Sequence, residues 1–209
     1  MPIRIAILMM SLILGGCTNT SHKSADEAFP QRNPLPVMAL VEIPAGTTAK
    51  FEVEKATGRL VQDTRDGEPR FVNFLPYPSN YGMIPSTVLD EDAGGDGDPL
   101  DVLILGPALS RGDLVSVRLI GVLEMVDTGE RDDKILAVPI ASSPRNPFGE
   151  CKDLTELKNK YPEALKIIEL WFTSYKGPGR VESLGWQDEG HAISILESAR
   201  QQYRSQTAP

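Results

Sequence analysis

A mainly β domain with helices gathered toward its C-terminal end is the architecture that this 209-residue chain predicts. Three observations lead there. Between residues 37 and 140 short apolar or alternating runs follow one another, separated by Gly, Pro and Asp turns. Helical spacing sets in only after Asp153. The length suits one domain with a sizeable core, able to bury about two-thirds of its extended-chain surface. Several short strands at this spacing suggest a barrel or a sandwich.

Residues 1–16 read as an export signal: Arg4, an apolar run from Ile5 to Leu14 too short to span a bilayer, then small residues before Cys17. Leu14-Gly15-Gly16-Cys17 resembles the lipobox of bacterial lipoproteins, which implies cleavage before Cys17 and lipidation of it. The expected location is therefore outside the cytoplasm, facing the periplasm, with the N-terminal lipid as the membrane contact. Residues 17–36, rich in Thr, Asn, Ser, Lys and Pro, read as a flexible tether, and 37–209 as the folded domain. Cys151 is the other cysteine and has no intramolecular partner once Cys17 is acylated.

Strands are expected at Val37 to Ile43, Lys50 to Glu54, Leu60 to Gln62, Phe71 to Leu75, Val102 to Leu105, Leu114 to Val126 and Ile135 to Ile140. In the second, Phe51 and Val53 face inward, which groups Lys50, Glu52 and Glu54 on the other face. Arg111-Gly112-Asp113 reads as turn chemistry. Asp153 with Glu156 caps one helix, Pro162 opens a second carrying Leu165, Ile168, Phe172 and Tyr175, and Gly177 stops it. A last helix, about Asp188 to Tyr203, carries Ile195, Leu196 and Ala199 on one face; it contains His191 and is assigned no chemistry.

Function is best approached through Asp96-Gly97-Asp98-Pro99-Leu100-Asp101, three carboxylates within six residues ahead of an apolar strand. Clustered carboxylates repel one another unless a cation is bound between them. Alone, the segment also reads as a solvated acidic turn. A second acidic segment, Asp127 to Lys134, joins two strands as a hairpin and holds its end carboxylates close. Glu42 stands near the end of a strand. With two histidines and no C-x-x-C pair, a zinc-type site is excluded, and any metal would be a hard one held by oxygen. The net charge of −8 and pI near 4.9 exclude a nucleic-acid partner but leave room for a small polyanion held by metals and a local basic cluster. Lys50, Arg70, Lys134 and Lys176, with Tyr77, Tyr81 and Tyr175, are donors of that kind.

Taken together, Val41-Glu42-Ile43-Pro44, Lys50-Phe51-Glu52, Tyr77-Pro78-Ser79-Asn80-Tyr81-Gly82, Asp96-Gly97-Asp98-Pro99-Leu100-Asp101-Val102, Asp127 to Lys134 and Tyr175-Lys176 resemble the soluble family I inorganic pyrophosphatases. The resemblance covers about Leu40 to Lys176. It implies an α+β, mainly β fold, a five-stranded OB-like closed barrel with flanking C-terminal helices, that hydrolyses pyrophosphate with several Mg²⁺ ions, Mn²⁺ or Zn²⁺ being substitutes. It further implies Asp96, Asp101, Asp127, Asp132 and Glu42 as metal ligands and Asp98 as the general base. Lys50, Arg70, Tyr81, Lys134, Tyr175 and Lys176 would bind substrate, with Tyr77 and Glu52 as further site positions. Bacterial members place the phosphate-binding Arg directly after an Asp, but Thr64 follows Asp63, so Arg70 takes that role, with Arg65 as competitor. The rival reading is a catalytically silent, lipid-anchored metal- or phosphate-binding protein on the same scaffold. The oligomeric state is open, a homo-oligomer included.

Overall fold

The computed structural model describes residues 36–141 and 144–207. Cys17, the signal and the tether lie outside them. The main sheet is built from β1 (Val37–Ile43), β6 (Asn80–Met83), β7 (Asp101–Ile104), β8 (Leu114–Asp127), β9 (Glu130–Arg131), β10 (Lys134–Pro139) and β11 (Val181–Gln187). Its order is β1-β6-β7-β10-β8-β11, with β9 on β8 and a further antiparallel pairing of β1 with β8. Two small hairpins stand apart: β2 (Phe51–Val53) with β3 (Leu60–Gln62), and β4 (Thr64–Arg65) with β5 (Glu68–Pro69). The α-helices among the described residues are α1 (Leu154–Lys160), α2 (Pro162–Ser174) and α3 (Glu189–Thr207).

β7 and β10 are parallel neighbours whose residues are buried on both faces, as their continuous apolar runs require. One face, carrying Leu103 and Leu136, packs against Leu165, Ile168 and Phe172 of α2. The other, carrying Val102, Ile104 and Ile135, belongs with Ala192, Leu196 and Ala199 of α3. Backbones approach closely at Gly82, where a Cβ would stand 1.8 Å from the Leu40 carbonyl oxygen, so glycine is required for β6 to pair with β1. The α1 cap forms reciprocally: the Glu156 N–H donates to Asp153 and the Lys152 N–H to Glu156.

One expectation needs correction, and two strands were not expected. Phe71 to Leu75 is not a strand: Phe71 makes a lone bridge to Ala49 and the rest bends, with Leu75 exposed. Pro76 and Pro78 lack the N–H donors that would extend a ladder. Val181–Gln187 is a strand instead, and Asn80–Met83 another. Val181–Gln187 runs along the far edge of β8, so half its residues face solvent and its apolar pattern is thin.

Candidate active site

The acidic loop is held by its backbone. The Leu89 N–H donates to the Asp98 carbonyl and the Gly97 N–H to that of Leu89, while Asp96 accepts the N–H of Asp98 at 2.9 Å. Gly97, at φ +71°, supplies the left-handed turn between the two acids. Leu100 is fully buried and its N–H donates to the Thr87 hydroxyl, which anchors the loop just before β7 begins at Asp101.

Sheet register then makes the first contact. Asp101 lies opposite Lys134 across the parallel β7–β10 ladder. The Lys134 ammonium, 2% exposed, donates to Asp101 at 2.5 Å and to Asp132. Burial alone would depress this ammonium, but the two carboxylates outweigh it and hold its pKa above the ordinary lysine range. Burial pushes the Asp132 carboxyl up, with Lys134 opposing. At the other end of the hairpin Asp127 accepts from Lys176, which follows Tyr175 at the end of α2.

A basic group approaches from the β2–β3 hairpin. Lys50 stands 3.3 Å from Asp63 and 3.4 Å from Glu52, and Arg70 donates to Asp63 at 2.7 Å. Burial works against ionisation of Asp63, but Arg70 and Lys50 hold its carboxyl below the usual range. Glu42, at 5% exposure, accepts the Val53 N–H at 3.1 Å. Its burial and the nearby Asp101 charge push its carboxyl up to about 8. Lys55, just beyond β2, pairs with Asp98 at 2.5 Å, and that bond raises the lysine further.

The tyrosines come from an aromatic cluster. Tyr175 stacks on Trp171 at 4.7 Å, and Tyr77 packs on Trp171 at 4.5 Å and on Tyr81 at 5.3 Å. Burial pushes the Tyr175 phenol up to about 12 and those of Tyr77 and Tyr81 above their usual range, so all three are hydrogen-bond donors at neutral pH. Burial, then the Lys50 and Arg70 charges, lowers Lys176.

One cavity of about 640 Å³ gathers nearly every residue singled out from the sequence. Its acids are Glu42, Glu52, Glu54, Asp63, Asp96, Asp98, Asp101, Asp127 and Asp132; its donors are Lys50, Lys55, Lys134, Lys176, Tyr77, Tyr81 and Tyr175. Arg70 does not line it but is bonded to Asp63, which does; Arg65 lies exposed on β4, in the outer hairpin. Asp63 and Lys55 are residues that sequence reasoning did not assign to the site. Among the described residues no three Asp, Glu, His or Cys side chains stand together as a ready metal cluster. The acids are nevertheless already compensated by cations: Lys134 bridges two of them, and Lys176 and Lys55 take one each. An all-oxygen donor set that gathers cations fits hard divalent metals.

The family model described as "Inorganic pyrophosphatase" matches residues 39–204. The inorganic pyrophosphatase of Agrobacterium fabrum is 38% identical over 179 residues, covering 83% of this chain and 93% of its own length. That of Bos taurus is 33% identical over 188 residues, covering 79% of this chain; the chain spans 63% of that longer relative. Among solved structures, the Helicobacter pylori inorganic pyrophosphatase superposes with a TM-score of 0.69 at 32% identity, over 81% of this chain and 94% of that one. An N-terminally truncated Trypanosoma cruzi vacuolar soluble pyrophosphatase, solved in complex with PPi, gives 0.76 at 25% identity, over 85% and 72%.

Proposed function

The chain belongs to the inorganic pyrophosphatase family, and from that premise we propose that it hydrolyses pyrophosphate to two orthophosphates in the cavity of Asp96, Asp98, Asp101 and Asp132. It is a phosphoanhydride hydrolase dependent on divalent metal, and Mg²⁺ is the ion we assign. The observation that carries this reading is the convergence of nine carboxylates, four lysines and three tyrosines on one cavity.

Divalent ions supply Lewis-acid chemistry here: they acidify water and take up phosphate charge. Asp96, Asp101, Asp127, Asp132 and Glu42 are the residues that would hold them. Asp98 is the base: it removes the proton from the attacking water as the P–O–P bond opens, and its place on the cavity wall supports this. Lys50, Lys134, Lys176, Tyr81 and Tyr175 bind phosphate oxygens. Arg70 joins them through its position on Asp63, beside Lys50. Glu52 and Tyr77 shape the wall.

The scaffold is read as a closed five-stranded barrel. In support, β1 pairs with β6 on one side and β8 on the other, and β6, β7, β10 and β8 pair in turn. Export and lipidation at Cys17 complete the proposal and rest on the N-terminal sequence; palmitate labelling lost in Cys17→Ala supports them, and an unmodified chain overturns them. Homo-oligomer formation is a further expectation, favoured by Ile167 and Leu170 of α2 at 59% and 67% exposure and tested by light scattering. Phosphate release from magnesium pyrophosphate, lost in Asp101→Asn while the thermal melt persists, is the experiment for the reaction itself. Retained release in that variant would remove Asp101 from the mechanism.

A further inference from the structure

Side chains alternate along the 131–134 segment, and the two faces do different things. Asp132 and Lys134 face the active-site cavity, whereas Arg131 and Asp133 face a second cavity of about 520 Å³ between the acidic loop and α3. The β8–β9 ladder ends at Arg131 and the β8–β10 ladder begins at Lys134. Asp132 and Asp133 fall in the gap, so the regular ladder does not by itself fix where Asp132 sits.

Side chains bridge the gap. The Asp132 N–H donates to the Met125 carbonyl, but the Met125 N–H returns its bond to the Asp133 carboxylate at 3.1 Å. Asp133, 3% exposed, takes its second partner from the Arg131 guanidinium at 2.6 Å. The same nitrogen of Arg131 reaches Glu124 at 3.2 Å. Glu124 is held in turn by Gln187 at 3.1 Å and by the His191 ring at 3.0 Å. The backbone N–H of Arg131 donates to the Gly94 carbonyl at 2.8 Å, two residues before Asp96. The side-chain network therefore fixes the hairpin segment that carries Asp132, and the main chain of Arg131 joins that segment to the loop that carries Asp96. Its outer side opens on the second cavity, so hydrogen bonds and not close packing hold the guanidinium.

We propose that Glu124, Arg131 and Asp133 are positioning residues for divalent metal: their side chains hold the segment that carries Asp132 and that meets the Asp96 loop through the Arg131 backbone, and so set the affinity of the site. The inference rests on the metal-dependent reading above. None of the three belongs to the ligand set; they act through Asp132 and Asp96, as outer partners of metal ligands do. Charge alone gives the opposite sign. Arg131 is a cation near a cation site, so removing it should tighten metal binding by Coulomb's law, whereas loss of positioning weakens it.

The test is calorimetric titration of Mg²⁺ into the metal-free full chain, with a thermal melt of each variant. For Arg131→Gln the Mg²⁺ dissociation constant should rise about tenfold, the lower end of what outer-partner substitutions cost. Arg131→Lys, which keeps the charge but loses the fork, should fall between it and the parent. An unchanged or lower dissociation constant in Arg131→Gln overturns the proposal. Should the unpaired Asp133 prevent that variant from folding, Arg131→Gln with Asp133→Asn replaces the ion pair by two amides at no change in net charge, and the same criterion applies to it. If the parent chain itself binds no Mg²⁺, the metal-dependent reading falls and takes this inference with it. If the parent binds and the variants match it, only the positioning role falls.

Discussion

The front and back of the 127–134 hairpin carry similar chemistry and use it differently. On the front, Asp101 and Asp132 share the Lys134 ammonium, and Asp127 holds that of Lys176. On the back, Asp133 is gripped by a backbone N–H and a guanidinium nitrogen. An ammonium on a flexible stem can be displaced or turned toward phosphate, but a main-chain donor cannot be exchanged. Within this hairpin a carboxylate is thus either poised for a ligand or committed to the fold, and the type of its partner distinguishes the two.

A direct break in that contrast comes from Lys134→Met. With metal absent it leaves two partly buried carboxylates without their cation, which costs about 3 kcal/mol of stability. Chemical denaturation should register this loss, and saturating Mg²⁺ should recover most of it. A loss that Mg²⁺ leaves untouched would move Lys134 from the front class to the back.

Glu42 sharpens the comparison by pH. Its folded-state value of about 8 lies above the ordinary 4.5, so the folded chain keeps a proton that the unfolded chain gives up across that window. Stability of the metal-free chain should therefore fall as pH rises from about 4.5 to 8, by on the order of 3–5 kcal/mol. Glu42→Gln should flatten the slope, and a metal-free denaturation series in both chains reads it directly.

At the basic edge, Arg70→Ala should raise KM for pyrophosphate about 10- to 100-fold, the worth of a charge-assisted hydrogen bond. Arg65→Ala, on its exposed hairpin, should leave KM where it was. The reverse result in steady-state kinetics would exchange the two arginines. The smallest effect belongs to the far side of the core: Asp153→Ala removes the α1 cap and should cost about 1 kcal/mol in denaturation without changing turnover.

What could be read without coordinates follows the same division. Asp96, Asp98 and Asp101 announce themselves by local density, and the α1 and α2 boundaries by Asp153, Glu156 and Pro162, because caps and turns are short-range chemistry. Lys134 could be named but its double partnership could not, since that depends on the parallel register of β7 with β10. Lys55 and Asp63 were missed for a similar reason. Lys55 meets Asp98 across 43 residues, and Asp63 meets Arg70 only because the β4–β5 hairpin between them folds the chain back. The Arg131–Asp133 pair lay in full view inside the acidic segment, but composition alone cannot tell which of Asp132 and Asp133 faces the cavity. β11 escaped because only its pairing with β8 makes a strand of a run interrupted by Gly185.

The central claim is that the front carboxylates serve pyrophosphate hydrolysis with Asp98 as base. Orthophosphate release from magnesium pyrophosphate, compared between the parent chain and Asp98→Asn, tests it most directly. The account predicts two orthophosphates per pyrophosphate from the parent, and a fall of about 10²- to 10⁴-fold in the variant with its melt and Mg²⁺ binding retained. No release by the parent with Mg²⁺, Mn²⁺ or Zn²⁺, or equal rates from both chains, would contradict it.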